Sequence, residues 1–198
     1  MPKIDAPSVA EHRAMIRGRL IDAAEAILRS GSGASLTAAA VTSAAGIARN
    51  SIYRYVDTVD DLRALVVARY LPAWLDAVGM AMDAADTPAD RVVAWVRANL
   101  EQAAVAGHGW LMDAARSQAP SASFDYTITQ AHTGMRTTLA DAWAELLRAH
   151  PERVPVAAAL TVGIIDAGFR QLDAGQPAEL VLQLGTTAAW ALVTSLPR

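Results

Sequence analysis

The stretch that decides the fold is "SLTAAAVTSAAGIARNSIYRYV", residues 35–56. Its first half carries no charged side chain, and Gly46 separates it from a second half rich in Arg, Asn and Tyr. Thr37 is a typical N-cap residue, and a glycine such as Gly46 readily takes the left-handed conformation that ends a helix. We therefore predict a short helix that ends at Gly46 and a second short helix over residues 49–55. Two short helices joined at a glycine are typical of a helix-turn-helix.

The two predicted helices carry different kinds of side chain. The first is rich in alanine, which allows close packing, and Val41 is its larger apolar residue. On the second, Ile52 and Val56 lie four residues apart and share the face that should enter the core. The other faces carry Arg, Asn, Ser and Tyr, which are residue types that contact base edges and phosphates. The predicted DNA-contacting residues are Thr37, Arg49, Asn50, Ser51, Tyr53, Arg54 and Tyr55.

The sequence around this stretch resembles the TetR family of bacterial transcriptional regulators. "LIDAAEAIL" at residues 20–28 precedes the helix-turn-helix, "DTVDDLRALV" at residues 57–66 follows it, and the match extends over about residues 17–66. The spacing holds across three predicted helices, so the resemblance is more specific than a single short motif. Ala48 departs from the family pattern, in which a capping serine is common at that position. Family positions are occupied by Thr37, Val41, Ala45, Gly46, Ile47, Ile52, Tyr53 and Leu62.

The resemblance implies an all-α protein in two parts. The first is an N-terminal three-helix helix-turn-helix domain over residues 1–57, and the second is a helical effector-binding and dimerisation domain over residues 58–198. It also implies a ligand-responsive regulator, in which a homodimer binds a palindromic operator in double-stranded DNA and a small molecule releases it. We expect a repressor, although the residues themselves do not distinguish repression from activation.

Charge is unevenly distributed along the chain, whose formal net charge is −3. Residues 1–57 hold seven Lys/Arg and five Asp/Glu, a net charge of +2, whereas residues 58–198 hold ten and fifteen, a net charge of −5. A positive N-terminal part tolerates an anionic partner such as DNA. Arg13 and Arg17, on the first predicted helix, fit a phosphate contact and a solvated face equally well.

Composition excludes several kinds of chemistry. The chain has no cysteine, which rules out disulfides, thiol chemistry and zinc sites with Cys ligands. The sequence has no recognisable nucleophile-base arrangement, Gly-rich phosphate loop or metal-ligand spacing. We therefore predict a protein that is not an enzyme and uses no cofactor or metal. The N-terminus lacks the apolar core of a signal peptide, and neither long uncharged run indicates a membrane span, so we expect a cytoplasmic protein.

The region after residue 57 is predicted to form longer helices, with caps at Thr58, Thr87 and Gly107. Pro72 falls inside the first of these helices and predicts a kink or break, which could act as a pivot between the two domains. Aromatic and Met side chains further along predict a largely apolar pocket for the effector, unless they simply fill a solid core. The predicted effector-binding residues are Trp95, Trp110, Met112, Phe124, Tyr126, Gln130, His132 and Met135.

The last two predicted helices, over residues 156–172 and 178–194, are apolar on more than one side. Such helices must be covered both by their own core and by a partner, so we predict a homodimer that forms through them. Two other classes of protein remain as alternatives. One is an enzyme built on a helical bundle, and the other is a helical protein-interaction module without DNA contact. Salt-dependent binding to duplex DNA separates the second alternative from a regulator.

Overall fold

The computed structural model describes residues 9–30, 36–115 and 122–196, and it describes no side chains at residues 9 and 113–132. Within these ranges the chain is helical and contains no strand, which confirms the prediction of an all-α protein. The α-helices, in chain order, are α1 Val9–Arg29, α2 Ala38–Ala45, α3 Val59–Asp83, α4 Pro88–Ala106, α5 His108–Ala115, α6 Ala122–Leu146, α7 Val154–Asp173 and α8 Ala178–Ser195. Two short 3-10 helices, Arg49–Arg54 and Pro151–Arg153, lie between them.

Contacts divide the chain into two compact units. The first comprises Met1–Arg69 with Asp113–Phe124, and the second comprises Tyr70–Met112 with Asp125–Arg198. This division falls inside α3, twelve residues after the functional boundary expected at residue 57. The difference arises because the first half of α3 shares the core of the first unit, where Leu62 and Val66 are fully buried.

Local capping chemistry explains where several helices begin and end. The Oγ1 of Thr37 accepts a hydrogen bond from the Ala40 N–H at 3.1 Å, which starts α2. Gly46, with φ 65°, ends it. Thr58 and Asp61 bond to each other's backbone N–H in a capping box at the start of α3, at 2.7 and 3.1 Å. Each of these caps was predicted from the sequence. The spacing of Ser8 and Glu11 also predicts a capping box at the start of α1, and Ser8 lies outside the described residues.

Pro72 does not interrupt α3, which runs as one helix from Val59 to Asp83 with the proline inside it. Of the predicted kink or break, the break is therefore wrong, and the kink stays a prediction. Pro72 is exposed, and its missing N–H leaves the Ala68 carbonyl without its usual helical donor. The same helix carries an apolar window of mean hydropathy 1.3, which by length and composition alone would suffice to cross a membrane. Composition is weak evidence for a span, and Arg69 of this helix forms ion pairs with Asp22 and Glu25.

The core of the second unit forms around α4, which packs against α7 and α8. Glycines allow this close approach, because a Cβ atom on either Gly168 of α7 or Gly185 of α8 would collide with the side chain of Leu100. Leu100 is itself fully buried and has little room to move. Large buried side chains around it are Val92, Trp95, Val96, Leu139, Trp143 and Leu147.

Candidate nucleic-acid interface and effector region

The 3-10 helix Arg49–Arg54 presents polar side chains on one side and apolar side chains on the other. Ile52 is fully buried and Val56, just after the helix, is also buried, which confirms the predicted core face. Tyr53 is 58% exposed, an unusual position for a large aromatic ring in a single chain. Arg49, Asn50 and Arg54 are exposed as well, whereas Ser51 and Tyr55 are half-buried. Ala48 provides no side-chain cap, as its departure from the family pattern implied.

Two arginines of α1 hold the helix-turn-helix in place. The Nη2 of Arg19 donates a hydrogen bond to the Ala45 carbonyl at the end of α2, at 2.5 Å. The Nη2 of Arg13 donates to the Arg54 carbonyl at the end of the 3-10 helix, at 3.0 Å. Arg13 thus has a structural partner, a question that the sequence left open. Neither contact has a local sequence signal, because each joins residues far apart in the chain. These bonds fix both helices of the motif to α1.

Three exposed arginines of the first unit are available to an anion. None of the described carboxylates forms an ion pair with Arg17, Arg49 or Arg54, and all three side chains are exposed. Thr37 is exposed too, with its Oγ1 oxygen engaged as the cap of α2. The structure therefore places all seven predicted DNA-contacting residues in the first unit. An unpaired, exposed arginine is the group that neutralises a DNA phosphate and releases its counterion.

The charges behind this surface are paired instead. Arg69 of α3 lies 2.8 Å from Asp22 and 3.0 Å from Glu25 of α1. Glu25 also accepts a hydrogen bond from Arg29 at 3.0 Å. Burial disfavours the charged form of Arg69, but its hydrogen bonds and charge interactions with Asp22 and Glu25 outweigh this and raise its pKa above the usual value. The network joins α3 firmly to α1.

The four predicted effector-binding residues whose side chains the structure describes differ in their surroundings. Trp95 is buried in the core of the second unit. Trp110 is half-buried, with its ring edge-to-face against Tyr70 at a centroid distance of 5.6 Å. Met112 on α5 and Met135 on α6 are half-buried. The remaining four predicted residues, Phe124, Tyr126, Gln130 and His132, lie outside the described side chains.

A second group, which the sequence did not single out, joins four helices of the second unit. The Nε1 of Trp74 donates to the Oδ1 of Asn99 at 2.9 Å, and the Trp74 ring lies edge-to-face with Phe169 at 6.2 Å. Phe169 stacks on His108 at 4.1 Å, and the His108 Nδ1 lies 3.2 Å from the Asp173 Oδ2. We call these five residues the aromatic chain. Asn99 could have been found, because it is an amide on the otherwise apolar face of α4 that carries Trp95 four residues earlier.

No group of three His, Asp or Glu side chains that could hold a metal ion occurs among the residues that the structure describes. The described titratable groups of the aromatic chain are His108 and Asp173. They contact each other and do not form a nucleophile-base arrangement.

The sequence matches no protein-family model and no curated protein. Solved structures match over most of the chain. A TetR-family transcriptional regulator from Streptomyces coelicolor has 15% sequence identity, with 98% of each chain covered and a TM-score of 0.69. The ketosteroid transcriptional regulator KstR2 of Mycobacterium tuberculosis has 17% identity, with 92% of this chain and 95% of that chain covered and a TM-score of 0.69. The superantigen PfiT has 19% identity, with 88% and 94% covered and a TM-score of 0.70.

The chain therefore has the all-α fold of TetR-family transcriptional regulators, which consists of a helix-turn-helix region followed by a larger helical region. The predicted resemblance is confirmed at the level of the fold. PfiT shows that a similar fold also occurs in a superantigen, so function must be argued from the site.

Proposed function

We propose that this protein is a cytoplasmic, DNA-binding transcriptional repressor that binds a palindromic operator as a homodimer and is released by a small, largely apolar effector. The observation that carries the proposal is the 3-10 helix Arg49–Arg54. It exposes cationic, amide and aromatic side chains while Ile52 anchors it in the core and Arg13 holds its last carbonyl. A fixed backbone with free polar side chains is what reading a groove requires.

The chemistry of each side chain indicates whether it contacts bases or phosphates. Arg49 and Asn50 lie at the start of the 3-10 helix and are the residues for base edges, because a guanidinium or an amide can bond to two atoms of one base. Tyr53 and Arg54 are exposed groups that can bond to phosphates, and the hydroxyls of Thr37, Ser51 and Tyr55 can add further phosphate contacts. The two classes differ in one respect that can be measured. Base contacts change sequence preference, whereas phosphate contacts change affinity for every sequence.

The proposed homodimer forms through α7 and α8. These two helices pack against each other, and both expose large apolar residues at a spacing of four: Val156 and Leu160 on α7, and Leu180 and Leu184 on α8. The α7 stripe continues to Gly163, where an added Cβ would meet open space, so the helix can approach a partner closely. A second copy that covers both stripes would remove this apolar surface from water.

The proposed effector binds the second unit, and α3 transmits the effect of binding to the helix-turn-helix. This helix is continuous and contributes residues to both units, so no break at Pro72 absorbs a displacement. Arg69 ties the first half of α3 to α1, and α1 in turn holds both helices of the helix-turn-helix. An effector that binds the DNA-free form better is required. A 100-fold loss of operator affinity needs about 2.7 kcal/mol of coupling between the two sites.

Binding to DNA can be tested with a triple alanine variant of Arg49, Asn50 and Tyr53. An operator is first selected from a random duplex pool, and affinity is then measured at several salt concentrations. We expect the intact protein to bind with a steep salt dependence and the variant to lose at least about 100-fold in affinity, because each base-specific contact contributes about 1–3 kcal/mol. Unchanged duplex affinity in the variant, or no duplex binding by the intact protein, would favour the protein-interaction module instead.

A further inference from the structure

Two hydrogen-bond donors in the second unit have no acceptor in the part of the chain that the structure describes. They are the Nε1 of Trp95 and the Nε of Arg91, and both atoms are shielded from solvent. A buried N–H without an acceptor has lost its hydrogen bonds to water and has formed no hydrogen bond within the protein to replace them. Such groups are rare in folded proteins, and each one needs an explanation.

Trp95 is the exception among the tryptophans packed inside this unit. Trp143 is just as buried, yet its Nε1 donates to the Oγ1 of Thr161 at 3.0 Å. The Nε1 of Trp74 donates to Asn99 at 2.9 Å, and the Nε1 of Trp110 donates to the Ala106 carbonyl at 2.6 Å. Among the described residues, three of these indole N–H groups thus have an acceptor and that of Trp95 has none.

The two unpaired donors lie one helical turn apart on α4. Residues four apart share one face of a helix, so the side chains of Arg91 and Trp95 start from the same side of α4. One small acceptor group can therefore lie within reach of both. The Nη2 of Arg91 already bonds to the carboxylate of Glu145, so the positive charge of the guanidinium has its counter-charge.

We propose that Trp95 Nε1 and Arg91 Nε bind the carbonyl oxygen of an uncharged, otherwise apolar effector. This inference rests on the proposed function and names the ligand chemistry of its effector site. A carbonyl oxygen has two lone pairs and can accept from both donors. A hydrocarbon would leave the donors unpaired, and a carboxylate would be desolvated beside Glu145 without a free cation to balance it. The body of the ligand would pack against apolar side chains of the same core cluster as Trp95, which include Val92 and Leu139.

The experiment uses the full-length protein labelled with ¹⁵N, because each indole N–H gives its own NMR signal. The Trp95 signal is assigned with Trp95→Phe and, should that variant not fold, by elimination with Phe at the other four tryptophans. Three ketones serve as probes, namely cyclohexanone, 2-tetralone and 2-decanone. Each has a matched hydrocarbon and a matched carboxylate: methylcyclohexane and cyclohexanecarboxylate, tetralin and tetralin-2-carboxylate, decane and decanoate.

We expect at least one ketone to move the Trp95 indole proton downfield in a saturable manner, while its hydrocarbon and carboxylate partners do not. The Trp143 signal, whose N–H is already bonded, is the internal control and should stay in place. Trp95→Phe should lower the affinity for that ketone about tenfold relative to its hydrocarbon, which corresponds to about 1.4 kcal/mol. Arg91→Lys keeps a cation for Glu145 but removes the Nε donor, and it should lower the same ratio by a smaller factor.

The site is disproved if none of the three ketones shifts the Trp95 signal. It is also disproved if a long-lived water already bonds to Trp95 and persists when a ketone is added. Operator release is measured in parallel and separates this inference from the proposed function. A ketone that shifts Trp95 but leaves the operator bound supports the site and counts against effector control. An apolar compound that releases the operator without shifting Trp95 supports effector control and counts against the site.

Discussion

The helix-turn-helix region and the core of the second unit are stabilised in different ways. In the first, short helices are fixed by individual polar contacts, such as the cap at Thr37 and the bonds from Arg13 and Arg19 to backbone carbonyls. In the second, long helices are held by large apolar side chains around Leu100 and by glycines that let helices approach. The first arrangement leaves the outer side chains exposed, as the proposed DNA contact requires. The second can bury a ligand, but it must then satisfy every polar group that it encloses.

The largest effect is expected at the exposed apolar surface of the second unit. Leu184 is 60% exposed, and Leu184→Glu should give monomers, because a carboxylate cannot be covered by an apolar partner surface. Loss of the second DNA-binding region should lower full-operator affinity by about 10²–10⁴-fold. Sedimentation and operator titration measure both effects. Val105, which is 82% exposed on α4, is the matched control, and Val105→Glu should leave the dimer intact. A monomeric unmodified protein at micromolar concentration would contradict the proposed interface.

A smaller effect is expected at the turn of the helix-turn-helix. Gly46 has φ 65°, and a Cβ there would lie 3.0 Å from the Arg19 guanidinium. Gly46→Ala should lower the free energy of unfolding by about 1–2 kcal/mol and weaken operator binding, because an L-residue is strained in that conformation. Chemical denaturation measures the change. Gly79→Ala in α3 is the control, since nothing lies within 4 Å of its added Cβ and alanine should stabilise the helix by about 0.5–1 kcal/mol. Equal effects at the two glycines would show that the turn is not a special position.

The capping box of α3 tests how much one local contact contributes. Thr58→Ala removes the acceptor for the Asp61 N–H and should lower the free energy of unfolding by about 1 kcal/mol. Thr137 is a matched control in the second unit, because its hydroxyl only bonds back to the Thr133 carbonyl of its own helix. Thr137→Ala should change stability by less than about 0.5 kcal/mol. If Thr137→Ala proved the more damaging of the two, polar contacts would matter as much in the second unit as in the first.

The smallest effect separates the two arginines that the sequence treated alike. Arg13→Ala removes the bond to the Arg54 carbonyl and should reduce operator affinity several-fold, with a loss of about 0.5–1.5 kcal/mol and little change in salt dependence. Arg17 is exposed and has no ion-pair partner among the described carboxylates. If it contacts a phosphate, Arg17→Ala should reduce the salt slope by about 1. Titrations at four salt concentrations decide, and a reduced slope for Arg13→Ala alone would reverse the two roles.

Features that depend on neighbours in the sequence were predictable. The caps at Thr37, Thr58 and Gly46 involve residues a few positions apart, so their spacing alone identifies them. The break expected at Pro72 failed for a physical reason. The sequence shows that proline lacks the N–H of a helical hydrogen bond. It does not show the packing of residues on both sides of Pro72, which holds the helix together.

The sequence by itself determined the all-α fold and the position of the helix-turn-helix along the chain. It also determined that Ile52 and Val56 are buried while residues beside them are exposed. These follow from helical periodicity and local capping, which act over a few residues. Only the tertiary structure decided that Arg13 and Arg19 hold that motif in place. It also decided that, within the described part of the chain, Trp143 has an acceptor and Trp95 has none. Such contacts join helices distant in the chain. Which buried donors are satisfied depends on how side chains from several helices meet, and no spacing within one helix encodes that.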